Sequence, residues 1–127
     1  MLLELKDKRR SIGFKFALNG IWSVMKSERN FRLHLLAAII VIIAGFVVEL
    51  SRIEWLFTVV AIGSVLSAES LNSAVEKMLD YLNPDVHPQA KIVKDVAAGA
   101  VLLTAVMATI IGVIVFLPNI VSMLKSW

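Results

Sequence analysis

Glu69-Ser70-Leu71-Asn72-Ser73-Ala74-Val75-Glu76-Lys77-Met78-Leu79-Asp80 is the stretch that decides how this chain folds. It runs straight on from an apolar segment long enough to enter a bilayer. Glu69, Asn72, Ser73, Glu76 and Asp80 recur at i, i+3, i+4, i+7 and i+11, which stacks them on one face of one helix. Carboxylates at membrane depth are costly, so they pair, bind ions or do chemistry.

Outward from that helix, the composition is that of a membrane protein. The 127 residues are 58% hydrophobic, with a mean hydropathy of +0.81, whereas a soluble domain is nearer half apolar. The excess collects in three blocks, which predicts one integral-membrane domain over residues 1–127. The net charge is +3 and the pI about 9.5. The positive residues sit beside the apolar blocks, where they set orientation and meet anionic lipid rather than nucleic acid. There is no cysteine, so disulfides, thiolate nucleophiles and Cys-based metal sites are excluded. The basic N-terminus leads into amphipathic sequence without an apolar core and cleavage site, so no removable signal peptide is expected.

The predicted fold is all-α, with an N-terminal amphipathic interfacial helix and three transmembrane helices. Residues 4–30 mix Lys6, Lys8, Arg9, Arg10, Lys15 and Lys26 with Phe14, Phe16, Leu18, Ile21 and Trp22, a pattern for a helix lying in the interface. The spans are predicted at 33–50, 53–82 and 91–117. Trp55 is an interface anchor. Asn83-Pro84-Asp85 ends the second span, and Pro118 stands where the third should stop. Lys and Arg concentrate in the N-terminal region and the 77–94 connection. The positive-inside rule then puts both in the cytoplasm and the C-terminus outside.

On this topology the second span travels inward, so Glu69 lies deeper than Glu76 by about 10 Å. Carboxylates at two depths suit two tasks. The deeper one can take a proton from a lipid hydroxyl. The shallower one can hold a divalent metal and the phosphates of a soluble nucleotide. Phosphoryl transfer needs a metal, a base for the attacking hydroxyl and cations around the phosphate. Magnesium takes one or two carboxylates and completes its shell with water and phosphate. Glu76 and Glu28 are candidate ligands, Lys94 a candidate phosphate cation, and Asp85, His87 and Asp95 candidate nucleotide contacts. No phosphate loop, HExxH or GxSxG motif is present. Bland roles stand beside these: Glu69 and Asn72 as polar glue between spans, Asp80 and Glu76 as solvated helix-end groups, and Glu28 with Arg29 as a surface ion pair. Lys94 can equally snorkel, His87 lie exposed in a loop, and Ala97-Ala98-Gly99-Ala100 serve close helix packing.

The stretch from Glu69 to Asp80 resembles the signature of the prokaryotic diacylglycerol kinase family of small membrane lipid kinases. The resemblance covers nearly the whole chain, with Ser70 a departure where an aliphatic residue is usual. Glu28-Arg29-Asn30, Ile53-Glu54-Trp55-Leu56-Phe57 and the run from Ala90 to Leu103 are most similar to the undecaprenol kinase branch of Gram-positive bacteria. The resemblance implies an ATP- and Mg²⁺-dependent kinase of a lipid alcohol in the bacterial cytoplasmic membrane, undecaprenol first and diacylglycerol as the alternative. It implies that Glu69 is the catalytic base, that Asn72 orients the site, and that Glu28 and Glu76 bind Mg²⁺. It assigns Arg9, Glu28, Glu76, Asp85, His87, Lys94 and Asp95 to ATP, and Glu69 and Ala98 to the lipid. It also implies a homotrimer with active sites shared between protomers. Two rival readings are a small proton- or ion-coupled transporter and a non-catalytic assembly subunit. The first expects polar residues through the outer half of the spans, which the stretch from Leu56 to Val65, apart from Thr58 and Ser64, does not supply.

Overall fold

The computed structural model describes residues 1–82 and 87–127, and for 5–12 the backbone alone. Four helices follow one another: α1 (Leu2–Ser27), α2 (Arg29–Val47), α3 (Arg52–Leu82) and α4 (Pro88–Lys125). The last three are each long and apolar enough to cross a membrane. The architecture is all-α and consistent with a multi-pass membrane protein.

Glu28 separates α1 from α2. Its backbone turns extended (φ −109°, ψ 113°), closing one helix and opening the next. The Arg32 guanidinium donates to the carbonyls of Met25 at 3.0 Å and Lys26 at 2.8 Å. These belong to the last turn of α1, whose carbonyls lack helical donors. The sequence predicts one helix to residue 30 and a span from 33; the break falls earlier because Glu28 and Arg32 together form the junction.

The α2–α3 connection is four residues long. Glu49 takes a left-handed backbone (φ 56°), unusual for a side chain with a Cβ. Leu50, expected within the span, lies buried in this turn. Ser51 and Glu54 then start α3 as a capping box: Glu54 Oε1 accepts from the Ser51 N–H at 3.0 Å, and Ser51 Oγ from the Glu54 N–H at 3.3 Å. Glycine is required at position 45, where a Cβ would come within 2.6 Å of the Trp55 ring. Trp55 fills that gap and packs on Phe46 with ring centroids 4.8 Å apart.

The helix α4 begins with His87 as N-cap, its Nδ1 accepting from the Gln89 N–H at 3.1 Å, and Pro88 at the first helical position. It does not stop at Leu117 as the sequence predicts but runs through Pro118 to Lys125. Proline deprives the Ile114 carbonyl of its usual donor. The next residue fastens the region: the Asn119 amide donates to the Val115 carbonyl at 2.7 Å and to the Glu54 carboxylate of α3. Such bonds from side chains and neighbouring helices let a spanning helix pass a proline.

The hub is α3, against which α4 packs along the greatest length and α2 and α1 also rest. Its buried residues are Thr58, Ala61, Val65, Glu69 and Ser73, a single stripe at spacings of three and four. The stripe is apolar in its middle and polar toward residue 73. Buried apolar residues in the described chain number few: Phe31, Ala38, Leu50, Ala61, Val65 and Val115.

Candidate functional site

The polar end of the α3 stripe meets the start of α2, and two contacts tie them. Ser73 Oγ donates to Glu28 Oε1 at 3.1 Å. One turn back along α3, Glu69 Oε1 lies 3.1 Å from His34 Nε2. Antiparallel pairing brings these residues together: moving from Glu28 to His34 on α2 matches moving from Ser73 to Glu69 on α3. Glu69 is 6% exposed and Ser73 only 2%, so the carboxylate and the hydroxyl are buried while the His34 imidazole is only partly covered.

Asn72 and Glu76 extend the same face. Glu76 is three residues beyond Ser73, one turn along, which brings it to the side of α3 that Glu28 approaches. The Asn72 Oδ1 atom is buried with no hydrogen-bond partner among the described residues. A buried polar atom without a partner is costly, so it is an acceptor available to a ligand. No cluster of three or more His, Asp or Glu side chains that could hold a metal occurs among the described residues. Glu28, Glu76 and Asn72 offer oxygen donors, the type that Mg²⁺ accepts beside water and phosphate, and too few for an all-protein cage.

Cations border the group on the α1 and α4 sides. Lys77 Nζ donates to Ser27 Oγ at 2.9 Å, which pins α3 to the end of α1. Lys94 pairs with Asp80 at 2.7 Å, and Lys91 with Asp95 at 2.7 Å. Asp80 is thus the ion-pair partner of Lys94 rather than a free helix-end group. Glu28, likewise, bonds Ser73 rather than Arg29. His87 spends its Nδ1 on the α4 cap. Ala98 is exposed on α4, four residues past Lys94. Arg9 falls within the side chains that are not described, and Asp85 within residues outside the described set.

An apolar cavity of about 330 Å³ opens beside the site between α2, α3 and α4. Ala37, Ala38, Ala61, Ala105, Ala108 and Gly112 line much of it, and His34 closes the end nearest Glu69. The small side chains leave room that larger ones would fill. His34 is the site residue that the sequence reading missed. It stands as an ionisable residue at the end of an apolar span, and that position was the signal available.

Helices of spanning length carrying a buried carboxylate group at one end define a class of membrane protein with polar chemistry at the bilayer edge. The family model of prokaryotic diacylglycerol kinase matches residues 15–116. An undecaprenol kinase of Bacillus subtilis is 44% identical over 123 residues, covering 93% of this chain and 100% of the relative. A diacylglycerol kinase of Synechocystis sp. is 35% identical over 114 residues, covering 89% of this chain and 65% of the relative. A diacylglycerol kinase of Haemophilus influenzae is 29% identical over 104 residues, covering 80% and 88%. The chain belongs to the prokaryotic diacylglycerol kinase family. Membership supports a lipid-kinase reaction in a membrane setting, with the ATP and Mg²⁺ use typical of lipid kinases.

Proposed function

We propose that this protein transfers the γ-phosphoryl group of ATP to undecaprenol at the cytoplasmic face of the bacterial plasma membrane. The observation that carries the reading is Glu69, a buried carboxylate in contact with His34, which lines an apolar cavity. The position of Glu69 along α3 supports it. Counted from Arg52, Glu69 lies about 25 Å along the helix and Glu76 about 36 Å, against a hydrocarbon thickness of about 30 Å. With Arg52 at the outer interface, Glu69 is just inside the hydrocarbon and Glu76 just beyond it. A lipid hydroxyl reaches the first and a soluble nucleotide the second.

In the reaction the lipid oxygen attacks the γ-phosphorus in line with the bond to ADP. The new O–P bond forms as the old one breaks, ADP leaves, and the hydroxyl proton passes to the Glu69 carboxylate. Asn72 orients the acceptor from the next turn of α3. Glu28 and Glu76 hold Mg²⁺, which supplies neutralisation of phosphate charge when bound. Ser73 fixes the Glu28 carboxylate. Lys94, with Arg9, Asp85, His87 and Asp95, contacts ATP, and Ala98 lies against the lipid. The interfacial placement of α1, the cytoplasmic N-terminus and the external C-terminus belong to the same proposal. So does a homotrimer with shared sites, which gives the sparsely buried α2–α4 frame the neighbours it lacks.

Likeness to an undecaprenol kinase, at 44% identity over 93% of this chain, favours that acceptor. Diacylglycerol is the second acceptor, favoured by the diacylglycerol kinases among the relatives. Purified protein incubated with labelled ATP and a panel of lipid alcohols decides between them by which lipid becomes labelled. Label in neither, with ATP unconsumed, rejects the kinase reading.

A further inference from the structure

Glu28 is the one residue between α1 and α2, and its backbone is extended (φ −109°, ψ 113°) between two helical neighbours. Helices joined in this way meet at a swivel of two soft dihedrals, and the direction of the Glu28 side chain follows them. The carboxylate does little to fix itself. Among the described residues it takes one hydrogen bond, from Ser73 Oγ at 3.1 Å. The backbone bonds of Glu28 leave the swivel free as well. Its N–H donates to the Val24 carbonyl at 2.9 Å, and its carbonyl accepts from the Arg32 N–H at 3.3 Å. The first ties Glu28 to α1 and the second to α2, so neither joins the two helices across it.

The Arg32 side chain does join them. It leaves the first turn of α2 and returns to the last turn of α1, where one terminal nitrogen donates to the carbonyls of Met25 at 3.0 Å and Lys26 at 2.8 Å. A guanidinium nitrogen of this kind carries two protons, one for each carbonyl, and the group stays charged at every working pH. The carbonyl end of α1 is the negative end of its dipole, which favours a cation there. Lys77 anchors the same end from α3, Nζ to Ser27 Oγ at 2.9 Å, and it follows Glu76 directly in the chain. The end of α1 is thus held from the two helices that carry Glu28 and Glu76.

We infer that Arg32 is a positioning residue for the metal site: it locks the α1–α2 junction in the bend that presents the Glu28 carboxylate to Ser73 and α3. The inference rests on Glu28 as a Mg²⁺ ligand. Arg32 acts through Glu28 and touches neither the metal nor the phosphorus. Its bonded nitrogen is committed to carbonyls, whereas an arginine that binds ATP presents its fork to phosphate. Without the clamp the junction samples other bends, and Mg²⁺ must select the competent one from among them, which weakens its apparent affinity.

The test compares Arg32→Met, which keeps length and helix propensity but loses the donors, with Arg32→Lys, whose ammonium still offers protons to both carbonyls. The intact protein in detergent is titrated with Mg²⁺ for activity. It is also titrated with Mn²⁺ beside a non-hydrolysable ATP analogue, without turnover, the unbound ion being read by electron paramagnetic resonance. Arg32→Met is expected to raise both midpoints about fivefold or more, and Arg32→Lys to recover part of that shift. At saturating Mg²⁺, kcat and KM for ATP are expected to stay within about twofold of wild type. In a Glu28→Gln background Arg32→Met is expected to add nothing, because the two residues act as one unit.

Wild-type midpoints in Arg32→Met overturn the inference, and a lowered unfolding midpoint beside them leaves Arg32 a stabilising contact only. A raised KM for ATP at saturating Mg²⁺ overturns it in favour of a phosphate contact. An equal Mg²⁺ shift with and without Glu28 also overturns it. Arg32→Gln, the milder change, carries the same comparison if Arg32→Met does not fold. Wild-type Mg²⁺ dependence in Glu28→Gln removes the metal assignment and the clamp with it. A shifted Glu28→Gln beside an unshifted Arg32→Met removes only the clamp.

Discussion

Ser73 and Glu28 are forty-five positions apart in sequence and joined by one hydrogen bond of 3.1 Å, Oγ to Oε1. Ser73 is 2% exposed, so water cannot replace the donor once it is gone. Ser73→Ala should leave the fold intact and let the Glu28 carboxylate swing. A lost bond of about 1 kcal/mol corresponds to a factor of roughly five. The expected result is a three- to tenfold rise (about) in the Mg²⁺ concentration for half-maximal activity, with kcat less affected, read from a Mg²⁺ titration at fixed ATP.

Glu76→Gln and Glu28→Gln should each shift the same titration further, because each removes a charge from a sparse ligand set. A change of about tenfold or more is expected for either variant. Unchanged Mg²⁺ dependence in both rejects these carboxylates as ligands.

Lys94 and Asp80 form a pair whose side chains are 38% and 67% exposed. Exposed pairs contribute little stability, about 0–1 kcal/mol. Asp80→Asn should therefore keep kcat and KM within about twofold of wild type. Lys94→Ala breaks the same pair, so a rise in KM for ATP in this variant alone measures contact with phosphate. Equal behaviour of the two variants rejects that contact.

Gly45→Ala places a methyl group 2.6 Å from the Trp55 ring and 3.0 Å from Leu50. The rigid indole must shift away from Phe46 and the α2–α3 connection. Overpacking of this kind costs about 1–3 kcal/mol. The expected outcome is a lower unfolding midpoint in detergent, partly recovered by Trp55→Phe, which shortens the ring at the clash.

Asn119→Leu removes the link from α4 to the Glu54 carboxylate and to the Val115 carbonyl. Glu54 remains in its capping box with Ser51. A loss of about 1 kcal/mol is expected, with Mg²⁺ dependence unchanged because the link sits about 22 Å along α3 from Glu69. Loss of activity without loss of stability contradicts that separation.

The three spans were legible from the apolar blocks, because crossing a bilayer demands length and hydrophobicity that leave a plain trace in sequence. The polar face of α3 was legible for the same reason, as ionisable residues interrupting that trace at helical spacing. What the sequence withheld was pairing across helices. Nothing local joins His34 to Glu69 or Ser73 to Glu28; both depend on the antiparallel register of α2 and α3. The continuation past Pro118 was hidden likewise, since proline reads locally as a stop and the bonds of Asn119 become visible only once α3 lies beside α4. The Ser51-to-Glu54 capping box follows a simple local rule that the sequence reading did not apply. Partners in the sequence reading also changed: Asp80 and Glu28, given solvated or surface roles among the options, are engaged with Lys94 and Ser73.

The stripe on α3 holds most of what this chain conceals, while Ile40, Phe46, Leu102 and Leu103 stand open to whatever surrounds it. Folding strength is then shared with the medium: swapping one amphiphile for another, or thinning the protein out among excess micelles, shifts the balance by mass action. Melting curves of variants rank side chains faithfully only when the amphiphile and the ratio of protein to it are held constant.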